Sequence, residues 1–140
     1  MTRDETREFF DRRVDAWRRR DIDVLMRAHT HDCVLESPIA GKVTGRNAIE
    51  NVYLAFFTSF PDYTIENPDL IVDGDRAVQT VTFAGTNTGG FMGMAPTGKR
   101  FSFAAVLICE LRDGQIAHEK RIYDFTGFLL EIGVLKAKPI

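Results

Sequence analysis

The hydrophobic pattern of this chain changes at Pro61, and that change sets the order of its secondary structure. Ahead of Pro61, apolar residues recur at intervals of three and four, the spacing of one face of an amphipathic helix. After Pro61, short runs rich in β-branched and aromatic residues alternate with turn signals, which is typical of strands joined as hairpins. Helices first and strands afterwards predict an α+β domain with helices packed on one face of a curved sheet.

Helical spacing is clearest in the first segment, where Phe10, Val14 and Trp17 fall at i, i+4 and i+7. Asp21 is a favoured cap for a second, short helix, and Pro61 ends the third. The elements predicted ahead of Pro61 are helices over 4–20, 21–26 and 46–60 and a short strand over 33–38.

Hairpin signals separate most of the strands predicted after Pro61. Asp73-Gly74 and Asp113-Gly114 each lie between apolar runs, where such pairs favour tight turns. Pro68 indicates a bulge or an edge position, because proline cannot donate a hydrogen bond to a neighbouring strand. The predicted strands cover 63–72, 77–84, 101–111 and 116–125.

The segment from Gly85 to Gly98 contains five glycines and shows no periodicity. We expect a long flexible loop between the second and third of these strands. Its apolar residues Phe91, Met92 and Met94 either fold over a cavity mouth as a lid, or seal the core or a neighbouring subunit. No phosphate-loop lysine follows the glycines, so a nucleotide site is not predicted here.

Composition narrows the class of protein. The 140 residues predict a single domain over 1–140, with 44% apolar and 27% charged residues. A net charge of −2 predicts no affinity for nucleic acid or for an anionic membrane. No apolar run approaches the roughly 18 residues that span a bilayer, and the N-terminus is charged, without the apolar core of a signal peptide.

The two cysteines, Cys33 and Cys109, each lie in an apolar, strand-like run. They predict reduced core residues in a cytoplasmic protein rather than a disulfide framework. Neither paired CxxC motifs nor HExxH occurs, so we expect no metal site.

Asp124 lies where the last predicted strand ends and a short helical segment begins, among largely apolar neighbours. A carboxylate in apolar surroundings is costly unless it is paired, and burial would raise its pKa toward the range of a general acid/base. Aspartate is equally a favoured helix cap. Spacing alone therefore leaves a cap and a catalytic residue both open.

Five stretches together give the sequence a family resemblance. They are 60–62, 74–78, 85–93, 96–100 and 113–116, followed by Asp124 and 129–133. With them the sequence resembles the SnoaL-like polyketide cyclases and related ester cyclases, within the superfamily of nuclear transport factor 2 and ketosteroid isomerase. The resemblance implies a cone-shaped α+β barrel, Asp124 as general acid/base, and a second subunit on the convex face of the sheet, which would include Arg121 and Tyr123.

Most of the functional residues of ketosteroid isomerase have no counterpart in this sequence. Its general-base aspartate corresponds to Ser37, and its two oxyanion-stabilising residues to Arg13 and to a position near Leu107. Only the pocket tyrosine of the third helix has a counterpart, Tyr53. The resemblance therefore argues against a steroid isomerase, which needs both a base and an oxyanion donor.

We expect a mostly apolar pocket between the sheet and the helices, which binds an apolar small-molecule substrate. Tyr53 and Trp17 could equally be core residues, and His29 could be a histidine bonded within a loop. The predicted substrate-binding residues are Trp17, His29, Val52, Tyr53, Phe56 and Phe103.

The resemblance implies a small enzyme without a cofactor, in which Asp124 serves proton transfer or an aldol-type ring closure. A different enzyme on the same fold, such as an epoxide hydrolase or a dehydratase, stays open, as does a non-catalytic ligand-binding dimer. The strand over 101–111 is apolar on both faces, which predicts a homodimer through the sheet with Val106, Ile108 and Tyr123 near the interface.

Overall fold

The computed structural model describes residues 1–138 and contains four helices and a six-stranded sheet. The α+β prediction, with three helices ahead of the main strands, is confirmed. The helices are α1 (Arg3–Arg19), α2 (Ile22–Arg27), α3 (Arg46–Ser59) and α4 (Phe125–Glu131). The strands are β1 (His29–Ser37), β2 (Gly41–Thr44), β3 (Thr64–Asp73), β4 (Arg76–Thr86), β5 (Arg100–Arg112) and β6 (Gln115–Ile122).

The sheet runs in the order β2-β1-β6-β5-β4-β3. All neighbours pair antiparallel except β1 and β6, which are parallel, so the sheet is mixed and mainly antiparallel. Within the described residues β2 and β3 are its two edges, so the expected barrel is not closed. Helix α1 packs against β3, α3 against β1 and β2, and α4 against β5.

Strand β1 differs most from its prediction. It begins at His29, four residues before the predicted start, and forms a hairpin with β2, which was not predicted. Its first half contains the exposed polar residues His31 and Asp32. A prediction from apolar runs therefore leaves out this part of the strand. Strand β2 is only four residues long and mostly exposed, so it has almost no hydrophobic pattern.

The two faces of β5 are divided as predicted. Phe101 and Leu107 are buried on the inner face, whereas Val106 and Ile108 lie on the outer face and are half-buried. The pairing of Leu107 with Arg121 then fixes the orientation of β6.

The faces of β6 are the reverse of the prediction. Because Arg121 pairs with Leu107, it shares the inner face, and so do Glu119 and Tyr123, two residues away on either side. Ile122 is 48% exposed on the outer face. The expectation that Arg121 and Tyr123 lie on the convex face was wrong, because alternation separates two faces without showing which is buried, and here charged residues are buried.

The loop between β4 and β5 is held in place by Asn87, which is fully buried. Its side-chain oxygen accepts from the Gly90 amide at 3.1 Å, and its amide nitrogen donates to Thr97 Oγ1 at 3.2 Å. Phe91 is buried with its ring 5.6 Å from that of Phe60, so this residue seals the core.

Both methionines of this loop are exposed, at 65% for Met92 and 50% for Met94. They do not enter the core as Phe91 does. In the described part of the chain, no helix is long and apolar enough to cross a membrane. Cys33 and Cys109 are buried free thiols.

Candidate functional site

A cavity of about 390 Å³ lies between α3, the inner face of β4–β6 and the β1–β2 turn. Its walls are almost entirely apolar and aromatic. Met92 and Phe91 from the β4–β5 loop border it as well, which brings two of the three predicted lid residues to the cavity. The lining residues are Trp17, Ser37, Ile39, Ala40, Asn51, Val52, Tyr53, Ala55, Phe56, Phe57, Ser59, Tyr63, Phe83, Phe91, Met92, Phe103, Ala105, Leu107, Arg121 and Tyr123.

Five of the six predicted substrate-binding residues lie on this wall: Trp17, Val52, Tyr53, Phe56 and Phe103. The rings of Trp17 and Tyr53 lie 5.9 Å apart and are tilted by 32° to each other. Spacing along α1 and α3 brings them together, because residues three, four and seven apart share one helix face. Their role in binding a substrate stays a prediction.

His29 does not line the cavity. It is buried behind Tyr53, with the two rings 6.1 Å apart, and its Nδ1 is 2.8 Å from the Leu25 carbonyl oxygen. The expectation of a pocket histidine was therefore wrong in its placement. Burial, with a further contribution from the charge of Arg13, lowers the pKa of His29 to about 4, so the ring is neutral at physiological pH.

Asp124 is exposed and lies outside the cavity lining. Its carboxylate caps α4 and accepts from the Gly127 amide at 2.9 Å. The expectation that this carboxylate points into an apolar cavity was wrong, because the capping geometry turns it toward the first turn of α4. Its assignment as general acid/base rests on the family resemblance alone, and substitution of Asp124 tests it.

A buried cluster of charges lies beside the cavity. Glu119 and Arg13, each with a side chain 1% exposed, form an ion pair through Oε1 and Nη2. Arg121 donates from Nε to the other carboxylate oxygen, Oε2. Tyr53 joins the cluster, since its hydroxyl oxygen accepts from Arg13 Nη2 at 3.0 Å and from Arg121 Nη2 at 2.8 Å.

Mutual stabilisation keeps these groups ionised. Burial alone would raise the pKa of Glu119, but Arg13 and Arg121 outweigh it and hold that pKa well below its usual range. Burial alone would lower the pKa of Arg13 and of Arg121, but the charge of Glu119 raises both above their ordinary values. Near neutral pH the cluster of the folded protein therefore contains two guanidinium cations and one carboxylate.

Arg121 is the member of the cluster that reaches the cavity. Its side chain is 15% exposed, and it is the only charged residue among the described residues that line the cavity. Its Nη1 has no hydrogen-bond partner within residues 1–138, so a donor is available to a ligand. Trp17 lies on its helix side, with the Arg121 guanidinium 5.5 Å from the Trp17 ring centre.

The tyrosines of the cavity differ in what their hydroxyls contact. Tyr63 donates to the Trp17 carbonyl oxygen, and burial raises its pKa to about 12. Burial also raises the pKa of Tyr123 to about 12. Tyr53 alone has a hydroxyl oxygen that accepts from two arginines, and neither bond uses its proton.

No functional role was predicted from the sequence for Arg13, Glu119 or Arg121. One signal was available, since Arg13 falls at i+3 from Phe10 and four residues before Trp17, inside the apolar stripe of α1. A charged residue in such a stripe indicates a buried partner. The partner could not be identified, because Glu119 is 106 positions away and becomes a neighbour only through the pairing of β5 with β6.

Comparison with known proteins gives one family. The sequence model of the SnoaL-like polyketide cyclases matches residues 8–132. No curated protein matches the chain.

Solved structures with the same fold are numerous. AclR from Streptomyces galilaeus, provisionally named a hydroxylase, is 25% identical, with a TM-score of 0.84 over 99% of this chain and 91% of that one. IdmH from Streptomyces antibioticus, provisionally named a polyketide cyclase, is 25% identical, with a TM-score of 0.76 over 90% and 96%. A Catenulispora acidiphila protein with a ketosteroid isomerase-like fold, in complex with trimethylamine, is 16% identical, with a TM-score of 0.74 over 90% and 92%, and shows the fold alone.

The neutral, buried His29 predicts a specific loss of stability in mild acid. In the unfolded chain the ring takes up a proton near pH 6.5, whereas in the folded protein it does so only near pH 4. Stability is therefore fully present above pH 6.5 and decreases as pH falls. Between pH 8 and about 5 the free energy of unfolding should drop by about 2 kcal/mol, measured by urea denaturation.

His29→Gln should abolish this slope, whereas His31→Gln, at an exposed position of the same strand, should retain it. An unfolding free energy of the parent protein that does not change over this interval would show that the folded protein protonates His29 as readily as the unfolded chain does.

Proposed function

Because the chain belongs to the SnoaL-like polyketide cyclase family, we propose that it binds an apolar, carbonyl-bearing small molecule in this cavity and catalyses proton transfer or aldol-type ring closure through an enolate. The observation that carries the proposal is the free donor of Arg121 beside the Tyr53 hydroxyl, at one end of an otherwise apolar cavity. Apolar walls with a few convergent polar groups are typical of small-molecule sites.

The chemistry follows from the hydrogen bonds of Tyr53. Its oxygen already accepts from Arg13 and Arg121, so the proton remains available to donate to a carbonyl oxygen of the substrate. Arg121 Nη1 supplies a second donor. Two donors aimed at one oxygen stabilise the negative charge that develops there when the adjacent carbon loses a proton. The proton itself goes to water, which acts as the base because no Asp or Glu lines the cavity among residues 1–138. The proposal includes no metal and no nucleotide.

The fixed position of the Arg121 side chain supports its role in stabilising an oxyanion. Glu119 fixes the Arg121 side chain through Nε, which leaves its outer nitrogens directed away from the carboxylate. Oxyanion stabilisation depends on donors that need no rearrangement during the reaction. An apolar surrounding strengthens their effect, since the local dielectric is low.

A second candidate is a ligand-binding protein without catalytic activity. It is favoured by one observation, that no Asp or Glu lines the cavity among residues 1–138, so no carboxylate base contacts a bound ligand directly. The same observation weakens the epoxide hydrolase alternative, which would need two aspartates around the arginine to activate water.

We also propose a homodimer through the outer face of the sheet. Ile71 is 64% and Ile122 48% exposed on this face. Cross-strand pairs connect Ile71 to Val78, Val78 to Ile108, and Val106 to Ile122, so the apolar residues form one continuous patch. Exposed apolar patches of this kind are typical of protein interfaces.

The catalytic proposal predicts which substitutions reduce activity. Tyr53→Phe and Arg121→Gln should each reduce kcat by about 10²- to 10³-fold, the usual effect of removing one oxyanion donor. The assay is hydrogen–deuterium exchange at the acidic carbon of an aryl-substituted 1,3-dicarbonyl compound in D₂O, followed by NMR.

Asp124→Asn is the matched comparison, because asparagine can still accept from the Gly127 amide and cap α4. We expect its exchange rate to stay within about threefold of the parent protein, since Asp124 does not line the cavity. A loss of about 10² to 10⁴ in Asp124→Asn would instead establish this residue as the general acid/base. Exchange no faster than in buffer would favour the binding protein.

The dimer proposal predicts the effect of a charge on the outer face. Ile108→Glu should convert the protein to a monomer in light scattering at micromolar concentration, because two carboxylates would be buried at the centre of the interface. Leu54→Glu changes an exposed apolar residue of α3 and should leave the dimer intact. A parent protein with the mass of one chain would contradict the proposal.

A further inference from the structure

The charges around the cavity do not balance. Arg13 and Arg121 contribute two positive charges, and Glu119 contributes one negative charge. His29 and Cys109, the other titratable groups packed against the cluster, add no charge, because burial lowers the pKa of His29 to about 4 and raises that of the Cys109 thiol. One positive charge therefore remains inside the fold.

The surplus charge is located on the cavity side of the cluster. Arg13 is 1% exposed and bonded through Nη2 to both Glu119 and Tyr53. Arg121 is 15% exposed, lines the cavity, and has a free Nη1 within the described residues. Arg13 Nε also has no hydrogen-bond partner among the described residues, but it is buried and Arg13 does not line the cavity. The free donor that a ligand in the cavity can reach therefore lies on Arg121.

An unbalanced cation beside apolar walls has few ways to be stabilised by the protein itself. None of the described residues that line the cavity is an aspartate or a glutamate. Aromatic faces contribute weakly, since the Arg121 guanidinium lies 5.5 Å from the Trp17 ring centre and 5.0 Å from that of Tyr53. A negative oxygen on the ligand would complete the cluster and bring its net charge to zero.

We propose that this site binds its substrate as an anion, with an acidic conjugated hydroxyl, such as an enol, ionised and held by Arg121. The inference rests on the proposed function and narrows its substrate class to acidic enols and phenols on an aromatic body. The hydroxyl proton leaves to solvent as the ligand binds, so binding releases one proton when the free ligand is neutral. The anion then accepts from Arg121 Nη1, with the Tyr53 hydroxyl beside it.

Cavity size agrees with this class. About 390 Å³ accommodates a bicyclic or tricyclic aromatic body, within the usual range of ligand cavities. The rings of Trp17, Phe56 and Phe103 supply flat apolar surfaces around such a body. The only charged contact would then be at the hydroxyl end of the ligand.

A chromophoric probe tests the inference directly. The absorption of 4-nitro-1-naphthol changes when its hydroxyl ionises, so its protonation state can be measured while it is bound. In the parent protein, we expect the pKa of the bound probe to be at least about one unit below that of the free probe, since a neighbouring cation typically lowers the pKa of an acid by one to three units. Its methyl ether, which cannot ionise, should bind at least about tenfold more weakly at pH 8.

Arg121→Gln should abolish the lowering, so that the pKa of the bound probe is equal to or above the free value, and should leave the affinity for the methyl ether unchanged within about twofold. Arg121→Lys keeps a cation and should retain part of the shift, provided that circular dichroism shows both variants folded. Arg100→Gln removes an arginine that is 71% exposed and should retain the whole shift.

The outcomes separate this inference from the proposed function. Equal affinity for the naphthol and its ether, with an unshifted pKa, would overturn the anionic substrate and leave the cavity as a ligand site. A shift that persists in Arg121→Gln would also overturn it. Failure of both compounds to bind would overturn the inference and the proposed function together.

Discussion

The ion pair between Arg13 and Glu119 is the interaction on which the site depends. It joins the middle of α1 to β6, and through Tyr53 it includes α3 as well. Both charges are buried, so removing Glu119 would leave Arg13 unpaired inside the fold, which typically costs about 3–5 kcal/mol. The pair also determines which face of β6 is inner, because Glu119 and Arg121 share that face with Leu107 and Cys109.

Because this ion pair places Arg121 on the inner face of β6, the cavity has apolar walls and one polar end. Aromatic residues of α1, α3 and β5 form the walls, and Arg121 with Tyr53 forms the polar end. Glu119 balances only one of the two arginines, so the polar end is positive. An apolar body with an acidic oxygen is complementary to such a site, which connects the charge distribution of the fold to the enolate chemistry proposed for it.

The sequence was sufficient for the fold class and for most of the cavity walls. Periodicity placed Trp17, Val52, Tyr53 and Phe56 on helix faces that the structure brings to the cavity, and hairpin signals located the main strands. It was not sufficient for the polar end, because hydrophobic patterning assigns charged residues to the solvent and a long-range ion pair leaves no local signal. Asp124 is the opposite case. Its neighbours in sequence are apolar, yet its carboxylate is exposed and caps α4.

A crystal structure with 4-nitro-1-naphthol bound at pH 8 would show directly whether Arg121 binds the ionised hydroxyl of a ligand. We expect the naphthol oxygen within about 3 Å of Arg121 Nη1 and the rings between Trp17, Phe56 and Phe103. A probe whose oxygen points toward the loop at Met92, or whose rings lie outside the cavity, would contradict this expectation.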